Sequence, residues 1–224
     1  MLTDISSLLA EHGLILRGGF HPDAEEGGFL QNAATVLLVG NAGGAMWEAF
    51  SPHIDGKPNP LDRWTKRVID PIAEKFDARV IYPFGPDAAP FQRWAPRAES
   101  VHASPIGILI HPEYGLWHAY RAALLFSERL DLPPRTEAAS PCDTCVAKPC
   151  LSACPVGAFT GTAYDVGACA AHLASSEQTC LGAGCRARAA CPIGEQWRYL
   201  EAQTRFHMAA FAGSVASRAH LQSP

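Results

Sequence analysis

All eight cysteines of this 224-residue chain fall between Cys142 and Cys191. They read as two groups of four: Cys142, Cys145, Cys150 and Cys154, with Pro155 directly after, then Cys169, Cys180, Cys185 and Cys191, with Pro192 directly after. Two sets of four thiols supply the ligand count of two [4Fe-4S] cubanes, because each iron keeps one protein ligand besides its three sulfides. The Cys142-x-x-Cys145 pair lets one loop grip two irons, and each Cys-Pro step turns the chain away. A segment built this way is held by metal–thiolate bonds and needs little apolar core of its own.

Disulfides and zinc also use cysteines in even numbers. The opening MLTDISSLLAEHG has no basic start followed by an apolar core, so no secretory signal is read. The chain is therefore expected in the cytoplasm, where disulfides are disfavoured. Zinc accepts Cys-x-x-Cys pairs as well. The paired Cys-Pro endings, and eight cysteines packed into about fifty residues, favour iron.

The cysteine segment resembles the bacterial two-cluster ferredoxin module, with two departures. Residues 146–149 make a gap of four where that module has two, and Cys169 stands ten residues ahead of Cys180. A detached cysteine at that place is similar to the cluster domain of epoxyqueuosine reductases and related reductive dehalogenases. The ferredoxin resemblance implies crossed ligation, in which the fourth cysteine of each motif serves the other cluster. One set would then be Cys142, Cys145, Cys150 and Cys191, and the other Cys154, Cys169, Cys180 and Cys185.

Ahead of the cysteines the chain reads as a core-bearing domain. A helix is predicted over residues 3–12 and a short strand in GLILRGGF, followed by a glycine-rich loop. The unbroken apolar run ATVLLVG predicts a strand covered on both faces. NAGG then opens a helix AMWEAFSPH, read as a plain strand-to-helix turn or as an anion site. From Asn59 or Asp62 to Phe76 the spacing of Trp64, Val68, Ile72 and Phe76 predicts a helix, kinked at Pro71. Ala78–Phe84 reads as a strand, FQRWAPRAES as a short helix broken at Pro96, and residues 106–110 and 116–126 as two strands around HPEYG. Pro133, Pro134 and Ser140 mark a linker. Helical regularity is low from there to Ile193, and a long helix follows from Glu195 to about Arg218, turning Trp197, Leu200, Met208 and Phe211 inward.

The stretch IGILIHPEYGLWHAYRAALLF is similar to the signature of the cobalamin-processing chaperone family, the methylmalonic aciduria and homocystinuria type C proteins. The residues that carry the likeness are Ile110, His111, Pro112, Gly115, Trp117, Tyr120, Arg121 and Leu124–Phe126, with Gly115-Leu116 where that family has a doubled glycine. Epoxyqueuosine reductases carry a comparable strand pair before their cluster domain. Together the resemblances imply an α+β protein. A nitroreductase-like sandwich domain over residues 1–135 precedes a bacterial-type 2[4Fe-4S] ferredoxin-like domain with a C-terminal helix over 136–224. They also imply cobalamin as a cofactor, with FMN as the alternative because that sandwich serves FMN too. Arg121 matches a glutathione-contacting arginine of the chaperones.

The cofactor-binding candidates are His111, Tyr114, Trp117 and Arg121. Each has a structural alternative: His111 as a turn residue, the two aromatics as core, and Arg121 as half of an ion pair, since a buried arginine must be paired. His118 reads as a strand-edge residue. Lys148, Arg186 and Arg188, lying between cluster ligands, would raise a cluster potential or simply face solvent. Gly182 and Gly184 allow close backbone approach to sulfide. No catalytic residue is assigned.

A net charge of −4 offers no electrostatic case for nucleic acid or an anionic membrane, and no apolar run reaches the ~20 residues of a membrane span. The expectation is an iron–sulfur redox protein that passes single electrons to a cofactor or substrate in its N-terminal domain, in cobalamin-linked reductive chemistry. Its partners would be an electron-donor protein and a corrinoid or small-molecule substrate. The alternatives are an electron carrier without a substrate of its own and an FMN-dependent oxidoreductase.

Overall fold

The computed structural model describes residues 1–23, 25–85 and 89–221, with side chains described as far as Val215. In chain order its elements are α1 (Leu2–Ala10), β1 (Ile15–Phe20), β2 (Thr35–Ala42), α2 (Ala45–Phe50), α3 (Pro60–Lys75), β3 (Arg79–Ile81), α4 (Phe91–Ala98), β4 (His102–Ala103), β5 (Leu109–Ile110), β6 (His118–Phe126), α5 (Pro149–Ser152), α6 (Val166–Ala174), α7 (Cys180–Ala183), α8 (Arg186–Ala189) and α9 (Glu201–Leu221). The chain divides into two units. The first comprises Met1–Val101 and His118–Ala138, the second His102–Trp117 and Ala139–Pro224.

The first unit is built on an antiparallel sheet in the order β1-β2-β6-β3. All of β2 is buried, as its continuous apolar run requires, although the sheet is antiparallel. β2 pairs β6 from Thr35↔Phe126 to Ala42↔His118, and the register slips between Val39↔Ala122 and Gly40↔Tyr120. Arg121 is thus the extra residue of a bulge, a device that re-aims a side chain. Against the sheet, α3 buries Leu61, Trp64, Val68, Ile69 and Ile72, the stripe its periodicity predicts. Phe76 falls just past its end, as the C-cap.

One proline behaves differently from expectation. α4 continues through Pro96, where a break was expected; α3 also includes its proline, Pro71. In α4 the buried face of Phe91, Trp94, Ala95 and Ala98 holds the helix across the missing hydrogen bond. The strand predicted over 78–84 is confined to β3. The strand predicted over 106–110 is confined to β5, because a turn precedes it: Gly107 has φ +76° and donates to Ser104 O at 3.0 Å.

The second unit does not follow the division at residue 135. Its first piece, residues 102–117, comes from the N-terminal part of the chain. Ile106, Ile110 and Leu116 are buried with Cys150, Ala187 and Cys191, and that apolar burial binds the segment to the cysteine loops. Two glycines make the join possible. Gly115 (φ +56°) and Gly194 (φ +73°) bring two backbones together, and a Cβ on Gly115 would stand 1.9 Å from Ile193 O.

Four short helices, α5 to α8, occupy the region expected to be irregular. Only α6 has a side-chain cap, Asp165 Oδ1 accepting from the N–H of Ala168 at 2.8 Å. The long C-terminal helix begins at Glu201, after a single 3-10 turn at Glu195–Trp197. It packs through Met208, Ala212 and Val215 against Leu173 and Cys180. Of the predicted inward face Met208 packs as expected, but Leu200 is 50% and Phe211 37% exposed, and these two are corrected. The helix buries the next stripe round, which also takes in Gln203. No helix among the described residues is long and apolar enough to cross a membrane.

Candidate metal centres

All eight cysteines are free thiols in the second unit. Cys142, Cys145, Cys150 and Cys191 line one cavity, together with Ile106, Ile110, Leu116 and Ile193. Burial pushes the Cys142 thiol up, and the nearby Cys191, Cys150 and Cys145 push it further by like-charge repulsion. Cys150 and Cys191 are raised in the same way, burial first, with Cys145 near both.

The other four make a second group. Burial raises Cys169, with Cys154 and Cys180 beside it, and it raises Cys185, with Cys180 and Cys169 beside it. This division is the crossed one, with Cys191 joining the first three cysteines and Cys154 joining the later ones. α5 holds Cys150 and ends at Ser152, two residues before Cys154. α8 lies between Cys185 and Cys191.

The donor set fits an iron–sulfur cluster chemically. Each group offers four soft thiols, the first in an apolar cavity wall. Among the described residues no three His, Cys, Asp or Glu side chains close on the tight geometry of a single metal ion. A cubane needs a wider spread, because each thiolate meets a different corner iron. The raised thiols hold protons that a bound metal must displace.

Hydrogen bonds to sulfur come from places the sequence did not single out. The N–H of Ala158 donates to Cys154 Sγ at 3.3 Å. The Tyr164 hydroxyl beside Cys169 favours that residue's thiolate, and the Tyr164 ring stacks on Phe159 at 4.6 Å. Backbone groups of Arg188 and Ala187 reach Cys185, and that of Ile193 reaches Cys191. Lys148 lies on the wall of the first cavity, in a left-handed backbone conformation.

Of the four expected cofactor residues, His111, Tyr114 and Trp117 belong to the second unit and Arg121 to the first. His111 Nδ1 accepts from the backbone N–H of Glu113 at 3.0 Å and of Tyr114 at 3.2 Å. Its ring stacks on Tyr114 at 4.2 Å, and Tyr114 meets Trp197 edge-on at 4.9 Å. Trp117 packs on Tyr199 and under Arg188. Arg121 pairs with Asp62 at 3.6 Å and lies over Phe84.

A polar site the sequence reading missed lies within the first unit. Arg17, 1% exposed, pairs with Glu99 at 2.7 Å through Nη2 and donates from Nε to Glu99 Oε2 at 3.1 Å. Its Nη1 donates to Asn41 O at 3.3 Å, and His118 Nδ1 accepts from Nη2 at 3.3 Å. Tyr120 donates to Glu99 Oε1 at 2.5 Å. Burial raises the Tyr120 phenol well above its ordinary value, with Arg17 opposing and Glu99 adding to the rise. His118 is thus a buried member of a charged network rather than a strand-edge residue. Asn41, also 1% exposed, keeps both amide atoms without a partner among the described residues. The signal was present in ILRGGF, since an arginine inside an apolar strand must be paired.

No protein-family model matches this chain, and no curated protein matches it either. Solved structures do, at the level of fold. An epoxyqueuosine reductase from Streptococcus thermophilus aligns with a TM-score of 0.54 and 15% identity, over 86% of this chain and 66% of that one. A selenomethionine-labelled epoxyqueuosine reductase aligns at 0.59 and 13%, over 91% and 68%. An epoxyqueuosine reductase solved with an epoxyqueuosine-modified tRNA-Tyr stem loop aligns at 0.52 and 16%, over 89% and 68%. The chain thus has the mixed helix-and-sheet fold of these enzymes and spans about two thirds of their length. The likeness of residues 1–135 to the cobalamin-processing chaperones finds no support in these comparisons. The exclusion of nucleic acid from net charge is also withdrawn, because one protein of this fold was solved with RNA. A whole-chain sum of charge does not describe a local surface.

Proposed function

We propose that this chain is an iron–sulfur reductase. Two [4Fe-4S] clusters would be held by Cys142, Cys145, Cys150 and Cys191, and by Cys154, Cys169, Cys180 and Cys185. The observation that supports this most is the sorting of eight thiols into two groups of four. Disulfides need only pairs of thiols and have no need of that division into fours. When bound, the clusters would supply single-electron transfer. The protein's own part is to hold eight thiolates, exclude water from the first group with Ile106, Ile110 and Leu116, donate a hydrogen bond to sulfur from Ala158, and favour the Cys169 thiolate with the Tyr164 hydroxyl. Such donors and the surrounding burial are what set a cluster's potential.

The electrons would serve cobalamin-linked reduction, a reading supported by likeness of fold to epoxyqueuosine reductases and so an analogy. In this reading the first unit is the nitroreductase-like sandwich and the second the ferredoxin-like domain. Asn41 is the buried polar group of the first unit that a bound cofactor would satisfy. A modified nucleoside in RNA is the substrate class that the tRNA-bound structure suggests.

The test is anaerobic addition of hydroxocobalamin to the purified, iron-loaded protein, followed by reduction with dithionite. Co-elution of a corrin whose absorbance changes on reduction is expected, together with the paramagnetic signals of reduced [4Fe-4S] clusters. Cluster signals with no corrin retention would discard the cobalamin reading and leave an electron carrier.

A further inference from the structure

The second unit holds another cavity, of ≈ 300 Å³, which the reductase reading leaves unused. Its walls include Trp117, Cys185, Arg188, Arg198, Tyr199 and His207. Arg188 is its most constrained residue. The guanidinium lies 4.6 Å from the ring centroids of both Trp117 and Tyr199. Its Nε and Nη2 donate to Leu116 O at 3.1 and 2.6 Å. Two rings and a carbonyl therefore fix the group in place, yet none of the three neutralises it. No carboxylate lies within ion-pair distance of Arg188 among the described residues, and Nη1 has no hydrogen-bond partner there.

The neighbouring charges are accounted for differently. Arg198 pairs with Glu195 at 3.0 Å and donates to Ala189 O at 2.9 Å. Glu201, the carboxylate on the cavity wall, pairs with Arg205. Arg188 is thus a held cation in a partly buried place, with no carboxylate paired to it among the described residues. Desolvating a cation is costly unless an anion meets it. A planar guanidinium with free N–H groups matches a phosphate or carboxylate. The rings of Tyr199 and His207, 5.5 Å apart and tilted by 40° to one another, offer aromatic surface beside it.

We propose that this cavity binds a small planar anion, an aromatic ring carrying a phosphate or carboxylate, with Arg188 holding the anionic group and Tyr199 the ring. The occupant lies against Cys185, a member of the second thiol group. The site does not depend on cobalamin, and Arg188 is placed by protein groups alone.

The experiment uses the complete chain, purified anaerobically, with FMN as the probe and riboflavin as the same ring without its phosphate. FMN is expected to bind saturably, by quenching of its fluorescence, and about tenfold or more tighter than riboflavin, as one charge-assisted pair would give. Arg188→Gln should remove that preference with circular dichroism and iron content unchanged. His207→Glu, a helix-compatible change on the other side of the cavity, covers the case in which Arg188→Gln disturbs the unit. It should weaken FMN about tenfold by like-charge repulsion. No saturable FMN binding, equal affinity for riboflavin, or FMN binding that survives both variants would each overturn the proposal. Iron content measured alongside separates its failure from failure of the cluster reading.

Discussion

The two units answer the same problem, how to keep a chain folded, by different means. The first buries a continuous strand, β2, between neighbours, with Val36, Leu38 and Val39 fully inside and Leu124 opposite on β6. It can even afford a charged network at its centre, where Arg17, Glu99, Tyr120 and His118 satisfy one another. The second has small apolar clusters whose members include the cysteines themselves: Cys150 and Cys191 in one, Cys180 in the other. Its helices α5, α7 and α8 are each four residues long. Helices that short are not stable alone. The first unit is built on apolar burial, whereas in the proposed reading the second is held by bonds from its thiolates to the clusters they share.

The sharpest way to break this comparison is to remove the metal. With a strong chelator under reducing conditions, the amides of α5 to α8 are expected to lose hydrogen-exchange protection, while those of β2 and β6 keep theirs. Equal protection in both units after iron loss would sink the contrast. The next largest effect lies inside the first unit. Arg17→Met leaves Glu99 buried without its partner and should cost about 3–5 kcal/mol in urea unfolding, towards the lower end because Glu99 is 14% exposed. A loss below about 1 kcal/mol would mean the network is ornamental.

Gly115→Ala probes the backbone contact of the second unit. The left-handed φ and the approach of Ile193 O predict a loss of about 1–3 kcal/mol, read as faster iron release with the first unit unaffected. The smallest effect is electrostatic and exposed. Arg63, donating to Asp55, holds that carboxyl down from 3.8 to about 2. A depressed acid adds stability above its unfolded value of 3.8, and that part is lost as pH falls towards about 2. Replacing Asp55 with Asn should therefore lower the urea midpoint slightly at neutral pH, with the difference from wild type closing across that acid window.

Legibility in the sequence followed the range of the interactions. β2 and α3 were plain, because their periodicity is local. The eight cysteines also stood out as a ligand set by their count and spacing, whereas their crossed division followed only from the likeness to ferredoxins. The charged network was not, since Arg17 and Glu99 are 82 positions apart and only the fold joins them. Residues 102–117 were placed with the wrong unit for a related reason. Their strand pattern is real at Leu109–Ile110, but which partner buries Ile106 and Leu116 is a tertiary fact. The exposed Leu200 and Phe211 show the limit of reading a helix face where apolar residues lie on more than one side.

The central claim is that the eight thiols hold two cubanes, and counting iron and acid-labile sulfide in anaerobically purified protein tests it most directly. About eight of each per chain is the predicted result, falling to about four when Cys169 and Cys180 are both replaced by Ser. Two zinc ions per chain with no sulfide would contradict it.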